Sequence, residues 1–112
     1  MIPVSICRSE SELAKDAAGR PAGKLIDAAC GATKGFCIGV SYNDQTEFPA
    51  PGVHDDQEAI YVLEGFGTAF VGGQEFAVRP GTAFFVAPGV PHMIRRDPAS
   101  GPVKALWAHG AI

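Results

Sequence analysis

The chain lacks any apolar run approaching the roughly 20 residues of a membrane-spanning helix, so no transmembrane segment is expected. It also lacks an excess of positive charge: nine Lys and Arg stand against twelve Asp and Glu, for a formal net charge of −3. The broad cationic surface on which nucleic-acid affinity depends is missing, and nucleic acid is not an expected partner. The opening Met1-Ile-Pro-Val-Ser-Ile-Cys7 has neither the basic start nor the long apolar stretch of a secretion signal, which places the protein in the cytoplasm as an expectation. Cysteine is scarce. Cys7, Cys30 and Cys37 are odd in number and form no Cys-x-x-Cys unit, so they read as reduced thiols that pack as small hydrophobes. Charged residues are only 19% of the chain, while hydrophobic residues reach 46%, enough for a packed core and unlike a disordered sequence. At 112 residues that core belongs to a single domain, 1–112.

Glycine and proline are plentiful, with 14 and 9 copies, and they fall between short apolar runs instead of collecting in one linker. This is the punctuation of an all-β domain. Runs rich in β-branched and aromatic residues cover Phe36 to Tyr42, Ala59 to Leu63, Thr68 to Val71, Glu75 to Val78, Ala83 to Val86, His92 to Arg95 and Val103 to Trp107. Gly72-Gly73 supplies the positive φ angles of a two-residue hairpin turn, and Arg79-Pro80-Gly81 and Pro88-Gly89-Val90-Pro91 mark further reversals. Evenly spaced antiparallel strands suit a sandwich or small barrel, the jelly roll included. Before them, Ser9-Glu-Ser-Glu12 has the form of a helix start, predicting a short helix through Leu13 to Ala18 that Gly19 ends. One weak strand is expected near Lys24 to Asp27. The predicted layout is an N-terminal extension over residues 1–34 and a barrel core over 35–108.

Two of the three histidines stand beside these turns and strands. His54 and Glu58 are four residues apart, and strand side chains alternate, so His54, Glu58, Ile60 and Val62 can share one face. His92 follows the Pro-Gly-Val-Pro turn at the start of another strand. Two imidazoles and one carboxylate would make a facial metal triad with positions left open for water, substrate or O₂. On periodicity alone, a solvated His-x-x-x-Glu surface pair fits these residues as well.

Gly52-x-His54-x-x-x-Glu58, six further residues and Gly65, with Tyr61-Val-Leu-Glu-Gly65 inside it, resembles the first motif of the cupin family. Gly81-Thr-Ala-Phe-Phe-Val-Ala-Pro-Gly89-Val-Pro-His92 resembles its second. The resemblance covers roughly Phe36 to Trp107 and is to the small single-domain cupins of the conserved-barrel cupin 2 type. It implies a double-stranded β-helix, the jelly-roll barrel, holding one divalent transition metal (Fe, Mn, Ni or Zn). It implies His54, Glu58 and His92 as metal ligands, Gly65 and Gly89 as turn residues, and a homodimer.

Three departures from the motifs matter. Gly52 stands where the family has its first His, leaving the usual ligand set one short. The site then works with two His and one carboxylate, recruits His109, Asp56 or Gln57, or has lost tight metal binding. His109 itself is expected to be an exposed terminal histidine that contributes little, and Asp55 and Asp56 to face solvent or cap the bend. Ala87 replaces a frequent Pro, with Pro88 following. Arg96 replaces a frequent Asn, and its even offset from His92 offers a guanidinium for a substrate carboxylate or phosphate, against the alternative of an ordinary exposed Arg95-Arg96 pair. Phe84, Phe85, Tyr42, Tyr61 and Trp107 fit either packing or a cavity wall, and none is assigned to substrate.

The sequence contains no Ser-His-Asp order and no phosphate-cradling glycine loop. The expected function is a metal-dependent enzyme of oxygenase, isomerase, lyase or decarboxylase type acting on a small polar organic molecule. The alternatives are a non-catalytic small-molecule binding or sensor protein, or a barrel with a purely structural metal.

Overall fold

The computed structural model describes residues 7–110. Residues 1–6 and 111–112, and with them most of the stretch considered above for a secretion signal, lie outside the description. Eight strands follow one another: β1 (Gly23–Ile26), β2 (Cys37–Asn43), β3 (Gln57–Glu64), β4 (Gly67–Val71), β5 (Gln74–Val78), β6 (Ala83–Val86), β7 (His92–Arg96) and β8 (Val103–Gly110). They form a five-stranded sheet in the order β1-β2-β8-β3-β6 and a three-stranded sheet in the order β5-β4-β7, with every pairing antiparallel. Consecutive strands alternate between the sheets from β5 onward, and the protein is an all-β jelly-roll barrel. No helix among the described residues is long and apolar enough to cross a membrane.

Side-chain alternation accounts for the core. On β3, Glu58, Ile60 and Val62 are buried at 6%, 6% and 0% exposure, while Tyr61 and Leu63, of opposite parity, face outward. Val103 and Ala105 of β8 and Val86 of β6 extend the same layer, and Ala69, Val78 and Ile94 of the smaller sheet close the cluster from the other side. These are mostly β-branched residues, which fit the half-buried pleated surface that a two-sheet stack requires. Gly72 and Gly73 take φ of 55° and 90° in the β4–β5 hairpin, as their sequence predicts. Gly65 and Gly89 also lie at positive φ, 79° and 76°, where the chain leaves β3 and where it approaches β7.

The N-terminal extension differs from expectation in two ways. The predicted helix reduces to one 3-10 turn, Glu10–Glu12, where the Ser9 N–H donates to the Glu12 carboxylate at 3.1 Å. Leu13 then turns extended, with ψ 151°. The Asp16 carboxylate accepts the N–H groups of Ala18 and Arg20, each at 2.9 Å, and Lys15 bridges to Pro21. Asp16 thus offers the backbone a side-chain partner in competition with helix bonding, and a tight reversal forms. The second correction concerns the thiols. Cys7 and Cys30 are joined as a disulfide with Cα atoms 5.8 Å apart, and Cys37 is the free cysteine, buried on β2. The Arg8–Asp27 ion pair at 3.1 Å fastens the same two segments beside the disulfide.

Candidate metal centre

The two sequence motifs are laced together by backbone hydrogen bonds. Gly52 and His92 exchange both of theirs, at 2.8 and 3.0 Å, and the Gly89 N–H donates to the His54 carbonyl at 2.8 Å. The loop carrying His54 is therefore pinned alongside the start of β7, which carries His92. Glu58 comes from the first turn of the pleat on β3, where its direct cross-strand partners are Val86 on β6 and His109 on β8. Parity aims Glu58 inward with Ile60 and Val62, so the carboxylate arrives buried beneath the two imidazoles.

Hydrogen bonding at the outer nitrogens fixes what the inner ones can do. The His92 Nδ1–H donates to the Val90 carbonyl at 3.1 Å, since a carbonyl can only accept. His54 Nδ1 lies 2.9 Å from Asp56 Oδ1, an ionised carboxylate oxygen that likewise accepts. With the ring proton on Nδ1, each imidazole presents its Nε2 lone pair inward. The two Nε2 atoms are 3.3 Å apart, and each lies 3.0 Å from Glu58 Oε1. That oxygen is buried and has no hydrogen-bond partner.

Three acceptor atoms thus converge with no proton between them, an arrangement that is costly unless a cation sits among them. The dimensions suit one. Ligand bonds of about 2.1 Å meeting at right angles place donor atoms about 3 Å apart, as the edges of 3.0, 3.0 and 3.3 Å do. His54, Glu58 and His92 have the donor set, the spacing and the orphaned oxygen that a divalent transition metal satisfies.

A second cluster adjoins this one. His109 Nδ1 lies 3.0 Å from the same Asp56 Oδ1 that holds His54, and His109 Nε2 lies 3.3 Å from Glu58 Oε2. The hydrogen bond from His109 holds the Asp56 carboxyl below the usual carboxylate range, against the opposing effect of burial and with help from His54. His109 is thus not the exposed terminal histidine that the sequence suggested, since its side chain is 18% exposed and belongs to β8. The signal that locates it is parity: Val103, Ala105, Trp107 and His109 alternate along one face of that strand. Asp56 likewise turns toward the site instead of facing solvent or merely capping the bend. Gln57 adjoins Glu58 on β3 with opposite parity and takes no part.

A cavity of about 310 Å³ opens over these groups, with Ser41, Asn43, Phe84, Met93 and Trp107 in its walls. Arg96 is not among them. It shares the parity of His92, but four residues along a strand is about 13 Å. Its guanidinium donates to the Asp44 and Ser100 carbonyls, both at 2.9 Å, tying together two loops at the far end of β7. Among the other aromatics, Tyr61 and Phe85 point to the outer face of the large sheet, and Tyr42 packs under the Arg20 guanidinium. Gly52 does face the centre: a Cβ built there would lie 3.4 Å from His92 Nε2, and its φ is not positive.

A family model described as Cupin domain matches residues 40–109. Among solved structures, the polyketide cyclase RemF from Streptomyces resistomycificus is 28% identical, with a TM-score of 0.67 over 80% of this chain and 63% of that one. This chain therefore spans less than two thirds of RemF. A cupin protein from Bacteroides fragilis is 19% identical, with a TM-score of 0.68 over 88% of this chain and 80% of that one. FeII HppE, solved in complex with substrate, is 21% identical, with a TM-score of 0.64 over 79% of this chain and 52% of that one. No curated protein matches the sequence.

Proposed function

Given that the chain belongs to the Cupin domain family, we propose that it is a metal-dependent enzyme acting on a small polar organic molecule, with one divalent transition metal held by His54, Glu58 and His92. The observation that carries this reading is the buried, partnerless Glu58 Oε1, 3.0 Å from two imidazole nitrogens whose protons are committed elsewhere. When bound, such a metal supplies Lewis acidity toward a carbonyl or carboxylate, or a site for O₂. The protein's part is to hold the ligand rings through Asp56 and Val90, and to exclude bulk water with the Phe84, Met93 and Trp107 walls. Ser41 and Asn43 are the polar groups in the wall beyond the ligands, and they suit a substrate with hydroxyl or carbonyl oxygens. Occurrence of FeII in one structural neighbour and of cyclase activity in another supports the enzyme class without choosing the reaction.

Purification without chelator, elemental analysis, and a screen of oxygen consumption and of substrate loss with Fe(II), Mn(II), Ni(II) and Zn(II) test the proposal. One metal per chain with turnover supports it. One metal with no turnover across small hydroxy and keto acids favours a binding or sensor role. No retained metal and no uptake of added metal overturns it. We also propose a homodimer, because Phe36, Tyr61, Leu63 and Phe85 are exposed at 47%, 44%, 37% and 57%, and the latter three share the outer face of the large sheet. Light scattering after size exclusion tests this, and a monomer at micromolar concentration refutes it.

A further inference from the structure

We propose that His109 is a fourth protein ligand of the centre and that Asp56 is the positioning residue that aims both His54 and His109 at the metal. This rests on the metal-centre reading above and extends its ligand set to a residue outside both sequence motifs. Three observations carry it. First, His109 and Glu58 are direct cross-strand partners on β8 and β3, so the ladder itself fixes their side chains next to each other on the inner face. Second, Asp56 Oδ1 accepts from Nδ1 of both histidines, at 2.9 and 3.0 Å, which commits both protons outward and leaves both Nε2 lone pairs inward. Third, the His109 ring lies 4.4 Å from that of His54 between centroids, with its Nε2 at 3.3 Å from Glu58 Oε2.

The carboxylate of Glu58 therefore divides its oxygens. Oε1 faces His54 and His92, and Oε2 faces His109. Imidazole nitrogens thus stand on both sides of the carboxylate, and His109 would supply the third imidazole that a centre with Gly at position 52 would otherwise lack. A shared carboxylate on two ligand rings makes their orientations interdependent. Loss of Asp56 would free both tautomers at once, whereas a carboxylate serving one ring affects that ring alone.

The test uses Co(II) as the probe on the full chain. Competition titration gives affinity, and X-ray absorption fine structure counts the coordinated imidazoles. Wild type is expected to bind one Co(II) with three imidazoles. His109→Gln, which keeps a hydrogen-bonding side chain, should show two imidazoles and an affinity loss beyond the roughly 10- to 100-fold typical of an outer partner. Asp56→Asn should keep three imidazoles, shift the Co(II) visible spectrum and weaken binding by about 10- to 100-fold. Two imidazoles in wild type, or an unchanged count in folded His109→Gln, overturns the assignment of His109 while leaving the three-ligand centre standing. Should His109→Gln not fold, the wild-type count decides by itself. An Asp56→Asn protein with wild-type affinity and spectrum overturns the role of Asp56. Failure of wild type to bind Co(II) at all sinks the metal centre and this extension together.

Discussion

Replacing Glu58 with Gln should move stability in opposite directions with and without metal. Glu58 is 6% exposed, and its Oε1 lies 3.0 Å from two imidazole nitrogens; without a metal there, it has no proton to share with them. A buried acceptor without a donor costs about 1–3 kcal/mol. An amide NH₂ placed at that oxygen donates to the Nε2 lone pairs and turns the repulsion into hydrogen bonds. Metal-free Glu58→Gln should accordingly be more stable by about 1–3 kcal/mol, a rise in Tm of roughly 4–12 °C for a chain of this size. Metal reverses the order. At a hundred times Kd, a metal stabilises wild type by about 2.7 kcal/mol, or roughly 10 °C. The variant, with an amide in place of the carboxylate donor, gains little at the same concentration.

The assay is thermal unfolding followed by circular dichroism at one fixed pH. It is run once in EDTA and once with excess Zn(II) or Mn(II). Crossed curves are the expected result. A variant less stable than wild type in EDTA would show that Glu58 is satisfied in the metal-free protein, and the convergence of three lone pairs would then be the wrong physical description. Equal metal-induced gains in both proteins would remove Glu58 from the ligand set.

Gly52→His should tighten metal binding in a folded variant, because a side chain at 52 starts 3.4 Å from His92 Nε2 and its backbone needs no positive φ. Unchanged affinity by competition titration would mean that position 52 does not reach the metal. Arg96→Ala should cost about 1–3 kcal/mol in chemical denaturation through lost hydrogen bonds to the Asp44 and Ser100 carbonyls, with metal affinity unchanged. Undiminished stability together with weakened substrate binding would restore the guanidinium to the site. Because the Asp56 carboxyl is held low, its contribution to metal-free stability is complete above the ordinary carboxylate value of about 3.9 and is lost as pH falls through the depressed one. The stability gap between wild type and Asp56→Asn should therefore narrow below about pH 4, and a flat gap from pH 6 to 3 contradicts the cause given. Thiol titration of unreduced, denatured protein should find one thiol, Cys37, whereas three would show that Cys7 and Cys30 are not joined.

The barrel was readable because its strands are short β-branched runs bounded by Gly and Pro, and all seven runs predicted from residue 36 onward became strands. What failed was decided by contacts distant in sequence or by side chains that compete with the backbone. The Asp16 carboxylate took two N–H groups and replaced a helix with a reversal, which no count of helix formers between Leu13 and Ala18 registers. Cys7 and Cys30 meet across 23 residues because β1 and the Arg8–Asp27 pair bring their segments together. Arg96 shows the opposite limit: periodicity gave its face correctly and said nothing of the distance along the strand.

His109 was hidden by an end effect with a physical cause. Ala108, His109 and Gly110 add no β-branched or large aromatic residue, so the strand pattern in the sequence ends at Trp107. In the fold their backbone groups are recruited by two neighbours at once: Cys37 and Ile38 of β2 pair on one side, and Gln57, Glu58 and Ala59 of β3 on the other. A central strand between two partners can extend through residues that would fray at an edge, since successive residues bond alternately to one neighbour and the other. Extension by three residues carries the alternation of Val103, Ala105 and Trp107 one step further and delivers an imidazole opposite Glu58. The same argument makes the strand end sensitive to its neighbours. Pairing lost between β8 and both its neighbours near His109 would withdraw His109 from Asp56 and Glu58 before it disturbed His54 or His92, whose backbones are fastened to each other through Gly52 and Gly89.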